Sequence, residues 1–107
     1  MSIFSIFQRT DINTGLEQAR RTPGALLLDV RTEGEYAAGH VPGSRNIPLD
    51  RIGEAALNRE APLFVYCRSG ARSSQACAVL RQRGYEAVNI GGILHYRGTL
   101  ELGGENT

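Results

Sequence analysis

Apolar and polar residues alternate along this chain in short blocks of two kinds. Residues 25–30 and 63–66 are near-continuous apolar runs between breakers, with the length of strands buried on both faces of a parallel sheet. Residues 87–90 read as a further short strand, and residues 45–48 as a short strand or extended segment that Pro48 keeps from the centre of a sheet. Residues 3–7 alternate weakly and suit a short strand or an arm docked on the core. Between these runs the spacing turns helical. Ile12, Leu16 and Ala19 predict a helix over residues 13–21, opened by cap residues in 10–13, stopped by Thr22-Pro23-Gly24 and weakened by Gly15. Thr32-Glu33-Gly34-Glu35 has the form of a capping box and opens a short helix through residue 38. Gly39-His40-Val41-Pro42-Gly43 reads as a turn, and Asp50 as the cap of a helix carrying Ile52, Ala55, Ala56 and Leu57. Ala76, Val79 and Leu80 mark a helical face through residue 83, with Gly84 as its stop. Strands alternating with helices predict an α/β fold: a central, mainly parallel five-stranded sheet with helices on both faces.

Length and composition narrow this picture without redirecting it. A chain of 107 residues is expected to form one domain, spanning residues 1–107 with a frayed tail over 103–107. At this size folding buries roughly 65% of the unfolded surface, enough for a core without disulfides. Hydrophobic residues at 41% and charged residues at 21% argue against disorder. A formal net charge of +1 supplies no electrostatic reason to expect nucleic acid or an anionic membrane as partner. The longest purely apolar run, Ala25-Leu26-Leu27-Leu28, falls far short of the ~20 residues that span a bilayer. Residues 1–7 have neither the basic leader nor the apolar core of a signal peptide. Cys67 and Cys77 stand too far apart along one expected helix for a bridge, which points to a reduced, cytoplasmic protein with one functional thiol.

That thiol is Cys67. In Val65-Tyr66-Cys67-Arg68-Ser69-Gly70-Ala71-Arg72-Ser73-Ser74 an apolar strand ends at the cysteine, small and cationic residues follow, and a helix begins. A cysteine attacks as its thiolate, and a helix N-terminus together with guanidinium groups stabilises that anion. With no proline from Arg68 to Ser73, every residue of the loop keeps its backbone N–H, and Gly70 tolerates unusual dihedrals. Such a loop forms a nest for a thiolate, a persulfide or an oxyanion. Cys77 adjoins the apolar Ala76 and is read as core. His40 and His95 have no partners at metal-ligand spacing, so neither a metal nor another cofactor is expected. Nucleotide-binding glycine motifs do not occur. Asp29 and Arg31 end the first buried strand, at the sheet edge where active sites of parallel α/β proteins gather.

Three stretches together resemble the signatures of the rhodanese, or sulfurtransferase, family. The first runs from Leu28-Asp29-Val30-Arg31 through Glu35-Tyr36 to Gly39-His40-Val41-Pro42-Gly43-Ser44-Arg45-Asn46-Ile47-Pro48-Leu49. The second is Tyr66-Cys67-Arg68-Ser69-Gly70-Ala71-Arg72-Ser73, similar to the family's active-site loop, and the third is Asn89-Ile90-Gly91-Gly92-Ile93. They cover residues of about 25–98 in family order, and the likeness is to small single-domain members. The resemblance implies that Cys67 takes the outer sulfur of thiosulfate, or of a similar donor, and becomes a persulfide. That sulfur then passes to cyanide or to a thiol, with a protein acceptor also conceivable. It implies that Arg68, Ser69, Gly70, Ala71, Arg72 and Ser73 bind the substrate, with Arg72 typical of thiosulfate users and Arg68 assisting at the sulfonate. Asp29, Arg31, Glu35, His40 and Asn46 are implied to be scaffold under the site. Tyr96 departs from the pattern, standing where tryptophan is common.

Related phosphatases and arsenate reductases use a seven-residue loop, whereas Cys67 and Arg72 are separated by four residues. The smaller loop suits one sulfur atom better than a tetrahedral phosphate. A thiosulfate sulfurtransferase of sulfur metabolism is therefore the leading expectation. A non-enzymatic persulfide carrier or partner-binding module is the second, and phosphatase or arsenate-reductase chemistry the third.

Overall fold

The computed structural model describes residues 11–104; the strand or arm expected at residues 3–7 and the last three residues of the expected tail lie outside them. Four strands form one wholly parallel sheet in the order β2-β1-β3-β4: β1 (Leu26–Asp29), β2 (Arg45–Asn46), β3 (Leu63–Cys67) and β4 (Ala87–Gly92). Three α-helices among the described residues accompany them: α1 (Ile12–Arg21), α2 (Glu33–Ala38) and α3 (Ala71–Gln82). The α/β architecture with a parallel sheet is as anticipated; the count among the described residues is four strands rather than five, because the remaining expected strand lies outside them.

All five residues of β3 are buried, which is why this run carries no polar position until the chemistry begins. Its side chains divide between two cores. Leu63, Val65 and Cys67 pack with Leu28, Val30, Ala76, Cys77 and Leu80 under α3. Phe64 and Tyr66 pack with Ile12, Leu16, Val88 and Ile90 under α1. Helices therefore cover both faces, and the sheet has no wet side among these residues.

Several elements differ from the pattern-based expectation, each for a physical reason. Helix α1 starts at Ile12, with the Asp11 carboxylate accepting from the Thr14 amide at 3.2 Å. Gly15 is no weakness there. A β-carbon at that position would sit 2.5 Å from Ile90 Cβ, so glycine is what lets α1 lie close on β4. The expected helix after Asp50 is a 3₁₀ segment, Leu49–Glu54, followed by extended backbone at Ala55. Its carbonyls are claimed by tertiary donors: Arg83 gives one bond to Ile52 O at 2.8 Å and another to Ala55 O at 2.7 Å. The Leu57 amide turns to Tyr85 Oη at 3.1 Å, so these tertiary bonds hold the chain after residue 54 out of an α-helical path. Helix α3 stops at Gln82, and Gly84 follows at φ 92°. Gly103, placed by pattern in a frayed tail, donates its amide to Ala37 O at 2.9 Å. Tyr96 packs against the α1-side core and donates to Thr99 O at 3.0 Å.

The consequence for function lies at one edge. Register pairs Asp29 with Asn46 and with Tyr66, and Cys67 with Gly92. The carboxyl ends of all four strands thus meet along one rim, and the loop after Cys67 sits in its middle.

Candidate active site

Cys67 closes β3, and three residues later Gly70 opens α3 in a left-handed conformation, φ 106° and ψ −10°. No side chain caps this helix. The cysteine sulfur takes that place, accepting the Gly70 amide at 3.0 Å. A side chain at residue 70 would be strained by the backbone, although its β-carbon would meet the Gly91 Cα only at an ordinary contact distance of 3.5 Å. Gly92 is constrained as well, since a β-carbon there would collide with the Arg68 carbonyl.

Two opposing effects act on the Cys67 thiol. The side chain is buried, which taken alone raises its pKa. The Ser73 hydroxyl and the backbone amides of Ser73, Gly70 and Ser69 favour the anion, and together they win: the pKa lies below that of an ordinary thiol. Ser73 Oγ lies 3.4 Å from the sulfur and 2.7 Å from Asn89 Oδ1. Its single proton serves one of them at a time. Asn89 holds the loop from below, donating to Gly70 O at 3.0 Å while its Oδ1 also accepts the Gly91 amide at 2.9 Å.

The two loop arginines have different fates. Arg72 makes a bidentate pair with Glu35, with bonds of 2.7 and 3.0 Å. Glu35 is itself fixed by the capping box of α2, its Oε1 accepting from the Thr32 amide at 2.9 Å and from the Thr32 hydroxyl at 3.1 Å. Arg72, with Thr32 assisting, holds the Glu35 carboxyl down at about 2. Arg68 is exposed, and its side chain makes no hydrogen bond or ion pair among the described residues. The Glu35–Arg72 pair stands between two shallow grooves. Arg31, Glu35, Ala38, Gly39, Arg68, Ile93, Leu94 and Leu100 line one of about 310 Å³. Val30, Thr32, Pro48, Leu49, Asp50 and Arg72 line the other.

The charged residues of the first signature lie below the rim. Asp29 and Arg31 are buried and bound to each other, with Arg31 Nη2 at 2.6 Å from Asp29 Oδ2 and 2.8 Å from the Gly39 carbonyl. Asn46 Nδ2 donates to the carbonyls of Asp29 and Arg31 at 2.9 and 3.0 Å. His40 stacks on Tyr36 with ring centroids 3.7 Å apart, and its Nδ1 meets the Tyr36 carbonyl at 2.8 Å. Tyr66 Oη accepts the Val41 amide at 3.1 Å and lies 3.0 Å from Ser44 Oγ. This web ties the turn after α2 to the central strands, and none of its groups reaches the sulfur.

The loop residues named from the sequence therefore gather at one place, but not in equal roles. Ser69, Gly70 and Ser73 face the sulfur through backbone or hydroxyl; Ala71 is exposed at the start of α3; Arg72 is engaged elsewhere. Pattern reading missed two partners. Asn89 sits in the third signature as a polar break in an otherwise apolar strand, which was the available signal. The Glu35–Arg72 pair joins residues 37 apart in sequence and left none.

A parallel α/β domain with a cysteine cradled at the head of a helix is thus on view. The description of a rhodanese-like domain matches residues 13–98, and the chain belongs to that family. A sulfurtransferase of Allochromatium vinosum is 42% identical over 81 residues, covering 72% of this chain and 69% of that protein. The thiosulfate sulfurtransferase GlpE of Pseudomonas paraeruginosa is 41% identical over 76 residues, covering 67% and 69%. Among solved structures, a rhodanese-like domain protein from Staphylococcus aureus superposes with a TM-score of 0.74 at 28% identity, over 87% of this chain and 95% of that one. No helix among the described residues is long and apolar enough to cross a membrane.

Proposed function

We propose that the protein is a rhodanese-type thiosulfate sulfurtransferase that works through a Cys67 persulfide. The observation that carries this reading is the sulfur at the head of α3, with the Gly70 amide 3.0 Å away and the Ser69 and Ser73 amides favouring its anion. A relative at 41% identity that bears the name thiosulfate sulfurtransferase supports it.

The Cys67 thiolate attacks the outer sulfur of thiosulfate. A new S–S bond forms, the bond to the sulfonate sulfur breaks, and sulfite leaves with its electron pair. The persulfide keeps the negative charge, now one atom further out, facing the same cradle of amides. In the second half-reaction the outer sulfur passes to cyanide, giving thiocyanate, or to a thiolate, giving a new persulfide; Cys67 returns as thiolate. Neither half needs a cofactor or an exchange of electrons with a third party. Arg68 is the loop guanidinium free to meet the donor's anionic head, because Arg72 is held by Glu35. A free nucleophilic thiol suits a reducing compartment such as the cytoplasm.

Intact-mass spectrometry after incubation with thiosulfate tests the reading. A gain of about 32 Da on Cys67, one sulfur atom, removed by cyanide, is expected. Absence of that adduct with every sulfane donor would refute it. Adduct formation only by transfer from a partner protein would instead make the chain a sulfur carrier.

A further inference from the structure

The donors around the Cys67 sulfur are of two kinds, and they differ in whether they can turn away. The amides of Ser69, Gly70 and Ser73 are fixed by the backbone of the loop and of the first turn of α3. The Ser73 hydroxyl is the one side-chain donor to the sulfur among the described residues, and a hydroxyl proton rotates to suit its acceptors. Ser73 is fully buried, with Oγ 3.4 Å from Cys67 Sγ on one side and 2.7 Å from Asn89 Oδ1 on the other. Asn89 Oδ1 also accepts the Gly91 amide at 2.9 Å, so it stays satisfied when the Ser73 proton leaves. Cys67 Sγ likewise keeps the Gly70 amide. Neither orientation orphans a buried group. Which acceptor takes the proton is therefore set by the charge on Sγ. A thiolate accepts a charge-assisted hydrogen bond, whereas a sulfur that carries a second sulfur is neutral and accepts weakly.

We propose that Ser73 is a catalytic residue of the discharge half-reaction, its hydroxyl swinging from Asn89 to Cys67 Sγ as that sulfur becomes the leaving group. The proposal rests on the sulfurtransferase reading and assigns a group to one of its two steps. In the persulfide the Ser73 proton lies on Asn89 Oδ1. An acceptor such as cyanide attacks the outer sulfur and forms the new C–S bond. The S–S bond breaks, its electron pair stays on Sγ, and the Ser73 O–H turns to meet the charge. The proton reorients without being transferred, so no acid, base or redox partner is consumed. In loading the charge moves the other way, from Sγ to the outer sulfur, and the same hydrogen bond is given up. The fixed amides face an anion in both states and favour neither. The hydroxyl distinguishes them.

The test separates the two half-reactions in Ser73→Ala by rapid mixing, following the persulfide by intact mass at a pH where Cys67 is fully ionised in variant and parent. Discharge to cyanide is expected to slow about tenfold, the difference between a charge-assisted and a neutral hydrogen bond, while loading by thiosulfate does not slow. At one fixed ratio of thiosulfate to sulfite, the ratio of loaded to unloaded protein should rise by about the same tenfold, because the unloaded form loses the stronger bond. Ser73→Thr keeps the hydroxyl and should bring discharge to within about threefold of the parent. Equal slowing of both half-reactions, with the loading equilibrium unmoved, would make Ser73 a packing residue and overturn the proposal. So would discharge at the parent's rate in Ser73→Ala. With either result in a parent that loads Cys67, the sulfurtransferase reading stands and the Ser73 assignment falls. If no donor adds about 32 Da to the parent, both fall.

Discussion

Cys67 and Cys77 are ten positions apart in sequence, belong to the same core cluster and are each 1% exposed, yet their thiols are pushed in opposite directions. Burial drives Cys77 up to about 12, and the charge of Arg81 does little to oppose it. Burial acts on Cys67 too, but there the Ser73 hydroxyl and three backbone amides outweigh it. One side chain contributes, since the Ser73 hydroxyl reaches Cys67 and no hydroxyl acts on Cys77. The rest of the difference is position along the helix: Cys67 precedes the first turn of α3, where amides have no intrahelical partner, and Cys77 lies within it, where they are used. Depth makes a cysteine inert only when the backbone around it is already satisfied.

The comparison breaks most sharply under substitution. Cys67→Ser should abolish persulfide formation and turnover while leaving thermal unfolding near that of the parent. Cys77→Ser should keep turnover and instead lose roughly 1–3 kcal/mol of stability, because a hydroxyl enters an apolar core where the carbonyl one turn back is the acceptor that the helix itself offers. Denaturant unfolding and a thiosulfate–cyanide assay on both variants check the pair; turnover by Cys67→Ser would reverse the assignment.

Alkylation against pH sharpens the same contrast in one sample. Iodoacetamide should label Cys67 in the native protein with a midpoint below that of a free thiol, and should leave Cys77 unlabelled until the chain unfolds. The linked stabilities have opposite signs. The lowered Cys67 pKa contributes stability that is present above the unfolded thiol value and lost as pH falls through the folded one. The raised Cys77 pKa contributes stability that is full below the unfolded value and lost as pH rises toward about 12. Peptide mapping of the labelled protein reads both, and early labelling of Cys77 would show that its burial is not maintained.

A smaller change tests whether the cradle needs support. Asn89→Ala removes the bond to the Gly70 carbonyl and frees both the Gly91 amide and the Ser73 hydroxyl. At roughly 0.5–1.5 kcal/mol per hydrogen bond, loosening the Gly70 end of the cradle should cost the thiolate more than the released Ser73 proton returns to it, and kcat/KM should fall by about tenfold at neutral pH. Much of the loss should return at higher pH, as the profile moves upward. A uniform drop at every pH would assign Asn89 to folding rather than to positioning.

The parts of this arrangement that come from local chemistry could be read along the chain. Residues 63–66 announce a doubly buried strand, Thr32 and Glu35 a capping box, and Cys67 with Gly70 a sulfur at a helix start, because each depends on neighbours in sequence. The parts set by packing could not. Gly15 looks like a flaw until Ile90 is seen against it, and the segment after Asp50 looks helical until Arg83 and Tyr85 take its polar groups. Arg72 is the instructive case. Its place in the loop implied contact with the donor, and only the fold of α2 brings Glu35 across to hold it.

That pair yields the smallest and most specific expectation. Glu35, lowered to about 2, contributes stability that is present above its unfolded value near 4.5 and lost as pH falls from there toward 2. Glu35→Gln removes the titrating group, so the variant should be less stable than the parent at pH 6 and should lose less on acidification through that window. The pair is partly exposed, which keeps the expected difference to the order of 1 kcal/mol. Arg72→Ala should reproduce the same flattening, because the carboxylate then titrates near its ordinary value in both states. If Glu35→Gln flattens the acid limb and Arg72→Ala does not, the stabilising partner is the Thr32 cap rather than the arginine. In that event the Arg72 guanidinium would be held weakly enough to join Arg68 at the donor, and the division of labour between the two loop arginines would have to be redrawn.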